Sequence, residues 1–236
     1  MLSATACRHL LLLLLCLTSG IVDVIGYLGL GHIFTANMTG NIVMLGLAIG
    51  HVQGLAVLRT LTALLGFIMG NALGASIIRK KKVNSPWPPT LTIILGIELL
   101  LFILFKIISG PTASDSTIYL LIALLSIAMG MQTTAARSLA IAGISTTVLT
   151  NNLANVVEDV TDILRKWRTL GIHPKHLAMD SILRAAAIVL YGLGAVLAAF
   201  VEQQFPFTVI WIPVCIMGGI ILTALIRFRP SRSNQN

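Results

Sequence analysis

Six stretches of this chain, at about 9–31, 55–78, 90–108, 117–141, 182–204 and 207–226, are apolar over the length a helix needs to cross a lipid bilayer. Hydrocarbon offers no partner to an unpaired backbone amide, so such runs must fold into membrane-spanning helices whose amides pair internally. Composition agrees with that reading. With 56% hydrophobic and 10% charged residues and a mean hydropathy of +0.94, too few polar side chains remain to cover a water-facing surface. The first run has the outline of a signal peptide, with Arg8, an apolar core at 10–17, then Thr18, Ser19 and Gly20. Apolar sequence continues to Leu30, however, and the segment is read as a span that stays in the membrane.

A net charge of +8 would suggest nucleic acid in a soluble protein, but here the placement of the bases encodes orientation. Arg8 precedes the first span; Arg79, Lys80, Lys81 and Lys82 follow the second; Arg165, Lys166, Arg168, Lys175 and Arg184 separate the fourth from the fifth; Arg227, Arg229 and Arg232 end the chain. These are 13 of the 16 bases, all on one side if there are six spans, while the opposite loops, 109–116 and 201–207, contain none. The expectation is a multi-pass protein of a bacterial cytoplasmic membrane with both termini in the cytoplasm, partnered by lipid and not by nucleic acid. Arg59 and Lys106 fall near an outer boundary that their long stems can reach.

Two further pieces, about 38–50 and 144–167, are too short or too polar for full crossings and read as broken or re-entrant segments after spans one and four. Within the second, about 153–167, the apolar residues Leu153, Val156, Val157, Val160, Ile163, Leu164 and Trp167 recur at helical spacing opposite Glu158, Asp159, Asp162, Arg165 and Lys166. That pattern predicts an amphipathic helix lying flat at the cytoplasmic side.

A shift of 111 residues aligns FTANMTGN with STTVLTNN, superposing Thr35, Met38, Thr39 and Asn41 on Thr146, Leu149, Thr150 and Asn152. Each segment follows the first of three spans. The chain, a single all-α membrane domain over 1–236, therefore reads as two three-helix halves, 9–108 and 117–226. An odd number of crossings per half inverts one relative to the other, as in many secondary transporters.

An ionisable residue inside a span costs on the order of 3 kcal/mol unless it meets protein or water, and Asp23, Glu98 and Arg137 are so placed. The repeat relation carries Asp23 to position 134, one turn from Arg137, which predicts an Asp23–Arg137 ion pair. Glu98 has no cation at i+3 or i+4 and is a candidate proton carrier. The polar breaks around Thr35, Asn37, Thr39, Asn41 and around Thr146, Thr147, Thr150, Asn152 are candidates for binding substrate groups or ions at membrane depth. With Gln132, these give an expected pathway of Asp23, Asn37, Thr39, Asn41, Glu98, Gln132, Arg137, Thr150 and Asn152. Gly66, Gly70 and Gly74, and likewise Gly46, Gly50 and Gly54, are spaced for close helix approach, within the bundle or in a homodimer. Cys7, Cys16 and Cys215 are isolated, and His32, His51, His173 and His176 lack metal-site spacing. The sequence contains no phosphate-binding glycine loop and no recognisable nucleophile with its base, so neither cofactor nor metal nor enzymatic activity is expected. A transporter of a small solute or ion, with proton coupling, is the favoured reading; the alternative is a membrane-embedded regulatory or assembly protein without transport.

The stretch TSGIVDVIGYLGLGHIFTANMTGNIVMLGL, residues 18–47, resembles the YoaK-like family of bacterial membrane proteins in its Asp-bearing first span followed by M-T-G-N. MGMQTTAARSLAIAGISTTVLTNN, residues 129–152, is similar to that family's second signature, departing from it at Asn151, where Gly is expected, and at Thr133, where Asn is expected. The resemblance implies a six-span inner-membrane protein and brings no activity with it.

Overall fold

The computed structural model describes residues 3–79, 87–110, 114–142, 144–147, 149–170 and 178–228. Lys80, Lys81, Lys82, His173, Lys175, His176, Arg229 and Arg232 lie outside the described residues. Eight helices and no strand occur among the described residues: α1 (Ala4–Gly29), α2 (Met38–Ile49), α3 (Val57–Arg79), α4 (Pro89–Ile108), α5 (Asp115–Ser138), α6 (Leu149–Leu170), α7 (Met179–Gln204) and α8 (Trp211–Arg227). Five of them, α1, α3, α4, α5 and α7, are long and apolar enough to cross a bilayer. The sixth apolar stretch is α8, an apolar helix of 17 residues. It starts four residues later than its hydropathy suggests because the 205–210 segment turns: Glu202 accepts the Phe207 N–H at 2.8 Å while Phe207 takes a left-handed φ of 59°. Pro213 then sits in the first turn, where its missing N–H costs no helical bond.

α1 and α5 form the centre. Two-thirds of the apolar window of each is buried, against about a fifth for α3 and α7, which lie outside them. α7 packs along α1 and α3 along α5, while α4 lies against α5 and α8. Both outer contacts depend on paired glycines. A Cβ at Gly20 would strike the Tyr191 carbonyl and one at Gly194 the Leu17 carbonyl; in the other pair, Gly70 meets the Ile127 carbonyl and Gly130 that of Phe67. Without side chains at these positions the backbones approach closely, which is how helices associate where lipid removes the hydrophobic driving force between them. Gly66, Gly70 and Gly74 thus serve the internal α3–α5 contact. Gly46, Gly50 and Gly54 form no such face: Gly46 and Gly54 have open space where a Cβ would stand, and Gly54, past the end of α2, has φ +82°.

The two segments outside the long helices are both helical. α2 has 12 residues, and α6 runs 22 residues, longer than the 153–167 amphipathic stretch because it begins inside the second break. Leu153, Val157, Val160, Leu164 and Trp167 make an exposed apolar stripe along α6. At its middle, Asp159 accepts from Ser181 and pairs with Arg184 at 3.1 Å, tying α6 to α7.

Candidate functional site

The first break starts where α1 ends. Gly31 (φ +91°) and His32 (φ 61°) reverse the chain, which then runs back along α1. Gly26 makes that return possible, since a Cβ there would stand 2.8 Å from the Ile33 carbonyl. The returning segment carries backbone N–H groups that no helix satisfies, and Asp23 takes them. Its Oδ1 accepts from Thr35 at 2.8 Å, Ala36 at 2.6 Å and Asn37 at 3.3 Å, and Oδ2 accepts from the Tyr191 hydroxyl of α7 at 2.5 Å. Left unmade, each of these bonds would cost the desolvation of a buried donor, about 1–3 kcal/mol. Asn41 clamps the same segment, donating to the Phe34 carbonyl and accepting its N–H at 2.8 Å. Asn37 caps α2 by accepting the Gly40 N–H at 3.3 Å.

The second break repeats the clamp and changes the anchor. Asn152 donates to the Ser145 carbonyl at 3.0 Å and accepts its N–H at 3.3 Å, the same seven-residue reach as Asn41 to Phe34. No carboxylate gathers its amides among the described residues. Thr133 shares a 3.1 Å hydroxyl–hydroxyl bond with Thr147, and the carbonyls of Leu139 and Ala142 are held by Arg8 and Arg184. At the position matching Asp23, Thr134 donates to Asn71 Oδ1 at 2.8 Å.

The two breaks meet. Asn37 and Thr39 from the start of α2, Thr147, Leu149 and Thr150 at the start of α6, and Tyr191 of α7 enclose a polar cavity of about 100 Å³. Both α2 and α6 begin at this cavity, so the positive ends of two helix dipoles converge on it. Beside it lies an apolar cavity of about 320 Å³ between α1 and α7, lined by residues including Val24, Tyr27, Leu28, Phe34, Ala195 and Ala199, with Asp23 and Tyr191 at its polar edge. Tyr27 and Phe34 stack there at 5.4 Å.

Of the expected pathway residues, Asn37, Thr39 and Thr150 share the polar cavity, and Asp23 lies next to it through Asn37 and Tyr191. Asn41 and Asn152 shape the breaks from behind. Gln132 braces α5 against α1, its amide donating to the Leu15 carbonyl at 3.1 Å and to Ser19 Oγ at 2.8 Å. Glu98 is fully buried in α4, with neither carboxyl oxygen bonded. The Asp23–Arg137 ion pair does not form. Asp23 is occupied by the first break and Tyr191, while Arg137 stands exposed at the end of α5, beside a separate cavity of about 230 Å³ with Ser145 and Asn151. The ion pairs among the described residues are Arg59–Asp115 and Arg184–Asp159. Arg59 also lies over Gly31 instead of simply reaching outward. The residue that sequence reasoning missed is Tyr191. Its signal was a lone hydroxyl in the middle of an apolar span, far from the interfacial belt where tyrosines ordinarily collect.

A family described as "Protein of unknown function (DUF1275)" matches residues 11–223. The chain belongs to this family. Its similarity to the UPF0700 transmembrane protein YoaK of Bacillus subtilis (strain 168) reaches 47% identity over 227 residues, covering 95% of this chain and 97% of that protein. No solved structure matches. The DUF1275 match takes in both breaks, both clamping asparagines, Asp23 and Tyr191, so the whole candidate site lies inside the family's common extent.

Proposed function

We propose that this DUF1275 protein is a secondary transporter of a small solute or ion, in which two inverted halves of three spans each move about the polar cavity between the breaks. One observation carries the reading: two interrupted segments, one from each half of the sequence, end at a single cavity lined by Asn37, Thr39, Thr147 and Thr150. Discontinuous helices meeting in this way expose backbone and side-chain groups to a substrate while keeping irregular backbone away from lipid. The inverted repeat is supported by the matched Asn41 and Asn152 clamps and by the crossed pairing of α1 with α7 and of α5 with α3. As the sixth span, α8 would reach about 25 Å, enough for a thin or locally adapted bilayer. The basic loops favour a cytoplasmic membrane location with both termini inside.

Glu98 is the favoured coupling group in this reading, because it is the buried carboxyl that no bond to protein occupies. Purified protein in proteoliposomes, given a solute panel and an imposed proton or sodium gradient, should accumulate a solute that protein-free vesicles do not. Asn37→Ala and Thr150→Ala should each lower that uptake at least about tenfold, a loss of about 1.4 kcal/mol of transition-state stabilisation. Glu98→Gln should transport without responding to the pH gradient. A Glu98→Gln protein with its full pH-gradient dependence would remove Glu98 from coupling, and failure of every solute to move would favour the non-transporting membrane-protein reading.

A further inference from the structure

The two adjoining cavities differ in chemistry in a way that specifies a ligand. In the smaller one, Asn37 uses its Oδ1 to cap α2, so the amide Nδ2 remains as a donor, and Thr39 and Thr150, whose hydroxyls bond no other protein group, also line the space. No charged side chain lines it. The larger cavity is walled by Val24, Leu28, Ala195 and Ala199 and by the stacked rings of Tyr27 and Phe34. Tyr191 borders both, and Asp23, at the edge of the apolar cavity, bonds the N–H of Asn37, which borders the polar one. A purely hydrophilic solute would leave the large cavity unmatched. A hydrocarbon would bury Asn37, Thr39 and Thr150 against a surface that accepts no hydrogen bond, at about 1–3 kcal/mol for each group stranded. The pair of cavities fits a molecule with one accepting head and one apolar body.

We infer that the Asn37–Thr39–Thr150 cavity and the Tyr27–Phe34–Ala199 cavity form one composite site for a small aromatic monocarboxylic acid, its carboxyl group among the amide and hydroxyls and its ring beside Tyr27 and Phe34. Asp23 turns its oxygens to the first break and to Tyr191, so it takes up neither the Asn37 amide Nδ2 nor the Thr39 and Thr150 hydroxyls. The size agrees: about 320 Å³ accommodates a single ring with a short side chain, and cavities of a few hundred cubic ångströms are usual for small ligands. This rests on the transporter reading only in naming the site's cargo, and binding is tested separately from flux.

The test is equilibrium binding of radiolabelled phenylacetate to the purified full-length protein in nanodiscs, with acetate as the head alone and toluene as the ring alone. Phenylacetate should bind saturably, with acetate and toluene each competing at least about tenfold more weakly, since each forfeits one set of contacts. Ala199→Phe, which fills the apolar cavity, and the double variant Thr39→Val with Thr150→Val, which removes two hydroxyls, should each weaken binding by a similar factor. Leu28→Trp fills the same cavity from its exposed rim and serves if Ala199→Phe does not fold. The inference is overturned if phenylacetate does not bind, if toluene competes as well as phenylacetate, if acetate does so, or if the cavity variants bind normally. Gradient-driven uptake of some other solute that Ala199→Phe leaves unchanged would sink the composite site and keep the transporter. Saturable phenylacetate binding with no flux of any solute would do the reverse.

Discussion

Asp23 shows what a carboxylate in an apolar helix is for when no cation faces it. A buried charge is tolerated where hydrogen bonds replace its hydration, and here the donors are three successive amides of a chain reversal and one phenol. The residue therefore builds the break, and Tyr191 reports its position to α7. Tyr191→Phe should lower stability by about 1.5–3 kcal/mol, the range for one hydrogen bond to a charged group, whereas Asp23→Ala strands several amides and should cost about 3 kcal/mol or more. Reversible unfolding in mixed detergent measures both. In a double-mutant cycle the pair should fall short of the sum, since Tyr191 has nothing to donate to once Asp23 is gone. That Asp23 matters was legible from the cost of placing it in a span. Its partner was not: sequence offset suggested Arg137, but distance along a chain does not reveal that a loop will double back, and the backbone amides of Thr35, Ala36 and Asn37 supply what a guanidinium was expected to supply.

At the scale of elements, the fold depends on two close helix pairs and two interrupted segments. Gly20 with Gly194, and Gly130 with Gly70, bring α1 to α7 and α5 to α3 within backbone contact. Gly70→Leu or Gly194→Leu should destabilise the protein by about 1–3 kcal/mol or more, because the overlapped atom is a carbonyl of the neighbouring backbone and has no rotamer to escape into; thermal unfolding in detergent measures the loss. Gly46→Leu, facing open space, should cost far less. The glycine spacing of four was visible in α3, yet the same spacing from Gly46 to Gly54 leads to no helix packing within the chain, because α2 ends at Ile49. Periodicity marks a smooth face only where the helix continues. α6 makes the complementary point, since its alternation of apolar and charged residues was readable in advance and its stripe is exposed as the pattern requires, with Leu164 at 52% and Trp167 at 51%. In a protein carrying Trp87→Phe and Trp211→Phe, Trp167 fluorescence should be quenched most strongly by lipids brominated near the headgroup, if the stripe lies in the bilayer interface. Equal quenching at all depths, or none, would contradict that placement.

In the molecule as a whole, helices that are distant in sequence converge on one small polar cavity while large apolar side chains such as Leu65, Leu100 and Phe200 stand exposed on the outer helices. Hydropathy located the long helices, since the length of an apolar run is a one-dimensional property. The meeting of α2, α6 and α7 around Thr39, Thr150 and Tyr191 is three-dimensional and was reachable only as far as the repeated Thr and Asn residues hinted at it. Tyr191 has no counterpart at the 111-residue offset, and Asn41 and Asn152, expected along the pathway, hold each break as struts. The central claim is that both breaks border a single cavity inside the membrane domain. It is tested by placing cysteines at Thr39 and Thr150 in a protein whose Cys7, Cys16 and Cys215 have been replaced, then treating native membranes with the shortest bifunctional thiosulfonate. The account predicts efficient intramolecular cross-linking of the double-cysteine protein and none of either single variant; two thiols that remain separately reactive and never join would contradict it.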